Sequence, residues 1–495
     1  MGARMRETEE AYPRGMSGTG AAGSGGSTSE TEHLWTNRRY VTWLISDTSK
    51  GLAGTLLSFA IPLLTLMVTD DPAQAGIIGG VGMAVQIVST LAGGVLADRH
   101  SRVRLMVIGG LIGAALSAGF VVVAWADSLT FTSLLATEVL LALRGGIFNT
   151  AGEAQLKSVV PAGAMGRAQA ANQGRDAALQ IAGNPIGGFL LGIGGWMIGA
   201  AMCIAHLVST VSAAILGRMG DLAESGLESA GPAGERSAMG TDEGSLGLGQ
   251  ATAAGNEDLP VAFADSCSTR TPVAGHDGTR ESKPNAAAEI REAFGWLFAR
   301  PDLRNAVLIA TIVNLGLNAA ITTAIYVLQQ GGYSPVEIGT VSSAIGIVML
   351  IGALIAPVLV RRVGAGCLIV SGLVLLAAGV GALAATRSLV GTAAVLSVSS
   401  LLVPALNSGL LGYFMVAVPT EMLGRANSVL GILAMGAMPL GPLVAGFGLA
   451  WVGRTGTILL CTGLCVGAAA IAAFSVSVRS IPKEAEWAEH AAAFA

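Results

Sequence analysis

The stretch Gly94-Val95-Leu96-Ala97-Asp98-Arg99-His100-Ser101-Arg102 breaks a long apolar sequence with a short charged turn. Apolar runs flank it at 75–97 and 104–126, each close to the ~20 residues that a helix needs to cross a ~30 Å hydrocarbon core. The turn therefore joins two candidate membrane spans. Outward from it the pattern recurs at 43–68, 130–153, 170–194 and 196–217. It returns at 305–328, 336–359, 365–386, 389–414, 426–448 and 455–477, making twelve spans. Pro62, Pro185, Pro357, Pro439 and Pro442 fall inside them, as membrane helices tolerate when neighbours satisfy the freed backbone groups.

Composition agrees with that count. Hydrophobic residues make up 52% of the 495 and charged residues 12%, at mean hydropathy +0.65. A soluble domain carries about 25% charge to wet its surface. So little charge excludes a multidomain cytosolic enzyme and most nucleic-acid binders. Twelve Phe, seven Trp and five Tyr are too few for the aromatic girdles of a membrane β-barrel. The expected class is an all-α integral membrane protein. The five cysteines form no metal or redox pattern, and Cys461 and Cys465, inside one apolar run, behave as small hydrophobes.

The net charge of −4 hides a division. Residues 218–292 hold 13 acids and 6 bases, leaving 19 acids and 22 bases elsewhere, so an acidic insert masks a mildly basic membrane protein. Lys and Arg in short loops set orientation. Arg99, Arg102, Arg104, Lys157, Arg167, Arg361, Arg362 and Arg425 gather on one side, against Arg387 and Arg454 on the other. Both termini and the insert are accordingly expected in the cytoplasm, in a bacterial inner membrane. The expected organisation is a disordered tail at 1–36 without a signal-peptide core, a six-helix bundle at 37–217 and an acidic linker at 218–288. A second bundle follows at 289–480, opened by an amphipathic surface helix at 289–298, and then a tail at 481–495.

The two bundles share internal punctuation. A shift of 263 residues brings Pro72 onto Pro335, Gly76 onto Gly339 and Asp98-Arg99 onto Arg361-Arg362. Gly166-Arg167-Ala168 is echoed by Gly424-Arg425-Ala426, each ahead of a Pro/Gly-rich helix: Gly183-Asn184-Pro185-Ile186-Gly187-Gly188 and Pro439-Leu440-Gly441-Pro442. Two pseudo-symmetric six-helix halves around a midplane site are a recurring design of secondary transporters.

Within that architecture the opening stretch resembles the loop signature of the major facilitator superfamily, G-x-L-a-D-R-x-G-R. Ser101 stands where Gly is usual, and Val103 where a base is common. The resemblance implies that Gly94 permits close helix approach. It also implies that Asp98, Arg99 and Arg102 form a charge lock, joined by Glu153 from the fourth span. Beyond the loop, residues 37–64 and 69–72, Arg167-Ala168 to Asn172 with the following Gly183-Asn184-Pro185, Ala299 to Arg304, and Pro419 to Asn427 resemble the enterobactin-exporter-like drug and siderophore efflux branch. That branch often has Gly-Asp-Gly in the first span, where this chain has Asp47, then Lys50 before Gly51.

Ionisable groups at membrane depth are costly and are functional candidates by default. Asp47 and Lys50 stand i,i+3 and can neutralise each other. Glu138 and Arg144 are six apart, about 240° around a helix, and so are not mutual partners. A central Arg144 suits an anion, a polar substrate group or an acid on a neighbouring helix; Glu138, nearer the outer face, is either functional or solvated. Asn172, Asp176, Gln180 and Asn184 follow four-residue steps with Arg175 beside them, and Asn314, Asn318, Thr322 and Tyr326 repeat the device in the second half. Such stripes line a cavity or a helix seam, and Gln86 adds an amide in the second span. For proton exchange the carboxylates rank Asp176, Asp47, Glu138.

The expected function is secondary active transport, a proton-coupled efflux antiporter for a small amphipathic molecule such as a drug, siderophore or natural product. An importer of a polar metabolite and a non-transporting sensor are the alternatives. No nucleotide-binding loop, catalytic triad or metal cluster is present in the sequence, so no cofactor, nucleic-acid partner or enzymatic activity is expected. A monomer is the expected state.

Overall fold

The computed structural model describes residues 34–160, 164–229, 286–419 and 422–492. Most of the expected N-terminal tail, the bulk of the acidic linker and the Thr420-Glu421 part of the branch resemblance lie outside the described residues. The fold is all-helical. Its first half comprises α1 (Arg38–Thr69), α2 (Pro72–Arg99), α3 (Arg102–Trp125), α4 (Phe131–Val159), α5 (Met165–Ile193) and α6 (Gly195–Ser229). After α7 (Ala286–Ala299), the second half comprises α8 (Pro301–Gln330), α9 (Pro335–Arg362), α10 (Ala365–Ala382), α11 (Leu389–Ser400), α12 (Val403–Ala417), α13 (Leu423–Gly436), α14 (Leu440–Trp451) and α15 (Gly453–Phe474). The short α16 (Val476–Arg479) and α17 (Trp487–Ala492) end the described chain.

Among the described residues, eleven helical stretches are long and apolar enough to span a bilayer. The twelfth span is α5, whose Gln, Asn, Arg and Asp dilute its apolarity. Two expected spans are interrupted. The tenth is built from α11 and α12, with Pro404 in the first turn of α12; the eleventh is built from α13 and α14, with Pro439 at the break. Proline has no N–H to donate and crowds the preceding turn, which separates such segments. The first hairpin shows why its residues turn where they do: Asp70 takes the left-handed conformation at φ 52°, Asp71 accepts from the Ala73 N–H, and Pro72 starts α2 without needing a donor.

Three boundaries differ from the sequence expectation. The linker expected from 218 begins later, because α6 continues to Ser229. The helix expected at 289–298 does not simply lie on lipid: Leu297 of α7 is buried in the second half's core. Residues 481–492 are no free tail. Trp487 packs on Gly412 and α17 folds back onto α12, where a buried cluster holds it. Arg300 pairs with Asp302 at 2.8 Å and donates to the Ala491 carbonyl, and the Tyr413 hydroxyl donates to Asp302 at 2.9 Å and meets His490 at 3.1 Å.

Where the core sits defines the shape. One apolar cluster (Tyr40, Trp43, Leu105, Leu216) belongs to the first half alone, and another (Val307, Leu373, Tyr413, Trp487) to the second alone; both lie at the end carrying the termini. A third cluster at the remote end draws on both, joining Leu56, Ile61 and Leu191 to Ile338, Val341 and Ile345. The halves are fused at the remote end and separate toward the termini.

The fusion obeys the internal repeat. A Cβ on Gly188 of α5 would strike the Pro335 carbonyl oxygen of α9, and one on Gly446 of α14 would strike that of Pro72 on α2. Likewise Gly339 meets the Asn184 carbonyl oxygen, and Gly76 that of Pro442. Pro335 is Pro72 shifted by 263, and Gly446 is Gly188 shifted by 258, so the seams are repeat mates. Only glycine lets two helix backbones approach this closely.

Candidate functional site

Between the halves lies a cavity of about 650 Å³, bordered by residues of the shared remote core. The first half contributes Lys50, Gln86, Glu138, Arg144, Asn149, Gln180, Asn184 and His206 to its wall; the second contributes Ile321, Thr322, Ile325, Tyr326, Ile345 and Met349. Charge therefore lies on one wall and mostly apolar surface on the other.

Glu138 lies two turns into α4, toward its Phe131 end. Its side chain fits because α2 carries Gly82, where any Cβ would overlap the carboxylate. It is buried, 6% exposed, and its Oε2 has no hydrogen-bond partner among the described residues. The solvated alternative is thereby corrected: the facing helices cover it. Tyr326 lies within its electrostatic reach and is also buried with an unpartnered hydroxyl.

Arg144, less than two turns further along α4, is equally buried. Its Nε donates to the Gly109 carbonyl at 2.7 Å. No carboxylate lies within ion-pair distance of it among the described residues, so a neighbouring acid is not its partner. His206 on α6 stands nearby, its ring admitted by Gly113, where a Cβ would come within 2.8 Å. Sequence reading missed His206: a single histidine in an apolar run has no spacing signal.

The remaining charges make a separate cluster toward the terminal end. Asp47 forms ion pairs with Lys50 Nζ at 2.5 Å and with Arg175 Nη1 at 2.7 Å, and Arg175 also reaches Asp176 at 2.8 Å. The Arg175 guanidinium lies over the Trp43 ring at 5.9 Å, and Trp43 Nε1 donates to the Gly152 carbonyl at 2.8 Å. Gly152 leaves room for the pair, since a Cβ there would come within 3.0 Å of both partners. The cluster thus ties α1, α4 and α5 together. Lys50 reaches the cavity; Asp47, Arg175 and Asp176 are not on its wall, and the Asp176 side chain is 56% exposed.

The polar stripes divide. Gln180 and Asn184 line the cavity, while Asn172 is buried in a seam with its Oδ1 unpartnered. Thr322 and Tyr326 line it too; Asn314 donates to the Ala434 carbonyl and Asn318 packs on Gly441. A four-residue step gains about 40° per step on a 3.6-residue helix, so three steps carry the row off one face.

The charged turn also differs from expectation. The close approach to α4 is made by Gly93, against the Gly146 and Ile147 carbonyls, whereas Gly94 faces open space. Asp98, Arg99 and Glu153 are exposed, and no ion pair joins them among the described residues. Arg102 donates instead to the Ala154 carbonyl at 2.9 Å, fixing the turn to α4.

The profile of the Major Facilitator Superfamily matches residues 48–442 and, in a second match, 307–494. No curated protein matches the chain. Among solved structures, a bacterial homologue of the iron transporter ferroportin in an inward-facing state matches with TM-score 0.59 and 14% identity, over 87% of this chain and 98% of that one. A bacterial homologue of the human lysosomal transporter Spinster, inward-facing and unoccupied, matches with TM-score 0.55 and 15% identity, over 94% and 98%. A bacterial metal transporter gives TM-score 0.53 and 12% identity, over 87% and 98%. At such identities the likeness is one of fold.

Proposed function

This chain belongs to the major facilitator superfamily, whose work is membrane transport, and from that premise we propose that it is a proton-coupled exporter of a small amphipathic molecule. It works by alternating access in a bacterial inner membrane, with both termini in the cytoplasm and the described state open inward. Its six-helix bundles, at 37–217 and 289–480, rock about the central cavity.

The observation that carries the coupling is Glu138. It is a buried carboxyl group on the cavity wall with no ion pair among the described residues, so it can take up and give back a proton without breaking one. Asp47 would have to abandon two cations, and Asp176 faces solvent beside Arg175. Glu138 therefore replaces Asp176 as the leading carboxylate. The wall also argues for organic cargo: Lys50 and Arg144 would repel a metal cation, and no group of three or more metal-binding side chains occurs among the described residues.

The test begins with a screen of overexpressing cells for changed resistance or retention. The compound found is then followed in proteoliposomes under an imposed pH gradient. Glu138→Gln is expected to remove the pH-gradient dependence, and Asp176→Asn to keep it. Gradient-driven flux that survives Glu138→Gln and fails in Asp176→Asn would reverse the assignment; no flux of any screened compound would sink the transport reading.

A further inference from the structure

The charges around the cavity do not balance locally. Lys50 is matched by Asp47, and Glu138 becomes neutral whenever it holds the transported proton. Arg144 alone keeps a charge without a counter-ion. Its Nε is satisfied by Gly109, and its two terminal nitrogens have no hydrogen-bond partner among the described residues. Glu138 cannot serve them, because six residues on α4 separate the two by ~9 Å along the axis and about 240° around it. Neither terminal nitrogen is sealed from the cavity that Arg144 lines, so both are free to donate to whatever enters it.

We propose that the missing partner is the substrate itself: an amphipathic organic anion whose carboxylate, or similar planar oxyanion, is gripped by Arg144 with His206 beside it. The inference rests on the transport reading above and adds the substrate's chemical class. A guanidinium presents paired donors that fit a carboxylate edge-on. His206 adds a ring nitrogen, Nδ1, that is buried and unpartnered among the described residues. The second half supplies the other end of the molecule's environment, since Ile321, Ile325, Ile345 and Met349 form an apolar wall facing these groups. Met83 and Met202 flank the charged side with side chains that adapt to irregular shapes. A cavity of about 650 Å³ holds an organic acid of drug size.

A matched set of probes tests this in nanodiscs: pyrenebutyrate, pyrenebutanol and pyrenebutylamine, which share one apolar body and differ in head-group charge. The wild-type protein is expected to bind pyrenebutyrate about tenfold or more tightly than the alcohol, and the amine no better than the alcohol. Arg144→Gln is expected to erase the preference while leaving the alcohol's affinity within about twofold. Arg144→Lys should retain part of it, and His206→Gln should weaken it less than Arg144→Gln does. Equal binding of the three heads, preference for the amine, or no binding of any probe overturns the proposal, and the wild-type comparison alone decides this if a variant fails to fold. Flux measured in parallel keeps the two ideas apart. pH-driven flux without a carboxylate preference removes the substrate class and leaves transport standing; a carboxylate preference without flux does the reverse.

Discussion

The two halves of the molecule repeat one another in backbone and diverge in chemistry. α2 and α9 coincide under a shift of 263 residues at both ends, and α4 coincides with the α11–α12 pair under a shift of 258. Carried through those shifts, Asp47 and Lys50 correspond to Ala310 and Val313, Glu138 and Arg144 to Leu396 and Leu402, Arg175 and Asp176 to Leu433 and Ala434, and His206 to Leu464. Each of these seven groups is aliphatic in the second half. The glycine–carbonyl seams, by contrast, are kept in both. The glycine seam is a duplicated property, and charge within the membrane spans belongs to one copy.

The largest expected effect sets two buried acids against each other. Asp47 in the first half and Asp302 in the second each hold a cation, and removing one partner of a buried pair costs roughly 3–5 kcal/mol. Thermal unfolding should show both Asp47→Ala and Asp302→Ala strongly destabilised. Only Asp47→Ala should also depress flux at temperatures where both variants remain folded. If Asp302→Ala impairs flux equally under those conditions, the division of labour between the halves is wrong.

A smaller effect sharpens the shared part. Gly188→Val and Gly446→Val press a side chain into mated backbone contacts, an overpacking worth about 1–3 kcal/mol against the closed seam. A cysteine placed at Met83, in a background without Cys203, Cys267 and Cys367, reports the opening through its reaction with an impermeant thiol reagent added on the remote side. Both variants should raise that rate by similar factors. A response from one alone would mean that the seams, though repeated, do not act together.

The smallest effect is confined to the second half's clasp. Burial pushes the His490 imidazole below the usual histidine value, with Asp302 opposing this in part. A folded-state value lower than the unfolded one means that the contribution of docked, neutral His490 is present above about pH 6.5 and fades as pH falls. Hydrogen exchange across 487–492, corrected for intrinsic rates, should rise between pH 7.5 and 5.5. His490→Gln should flatten that dependence while exchange in the first half stays unchanged.

The spans, the repeat and the charge list were legible in the sequence because each rests on a local signal: length, spacing, or a charge among apolar neighbours. What escaped depended on contacts between distant segments. Asp47 reads as half of a pair with Lys50 until α5 brings Arg175 to its other oxygen. Gly93 and Gly94 are indistinguishable in sequence, and only the rotation of α2 decides which one meets α4. The segment Lys483-Glu484-Ala485-Glu486 looks like solvent-seeking tail, and nothing local signals that Trp487 and His490 return to Gly412 and Tyr413.

The glycine seams bear on how fast the protein can work. Interlocked side chains must unpack rotamer by rotamer before two surfaces part, and each step adds friction. Here main chain rests on main chain, with few knobs to withdraw at the points of closest approach. Such faces separate and meet again like two smooth plates. What resists their parting is then the apolar side-chain cluster that joins the halves beside them.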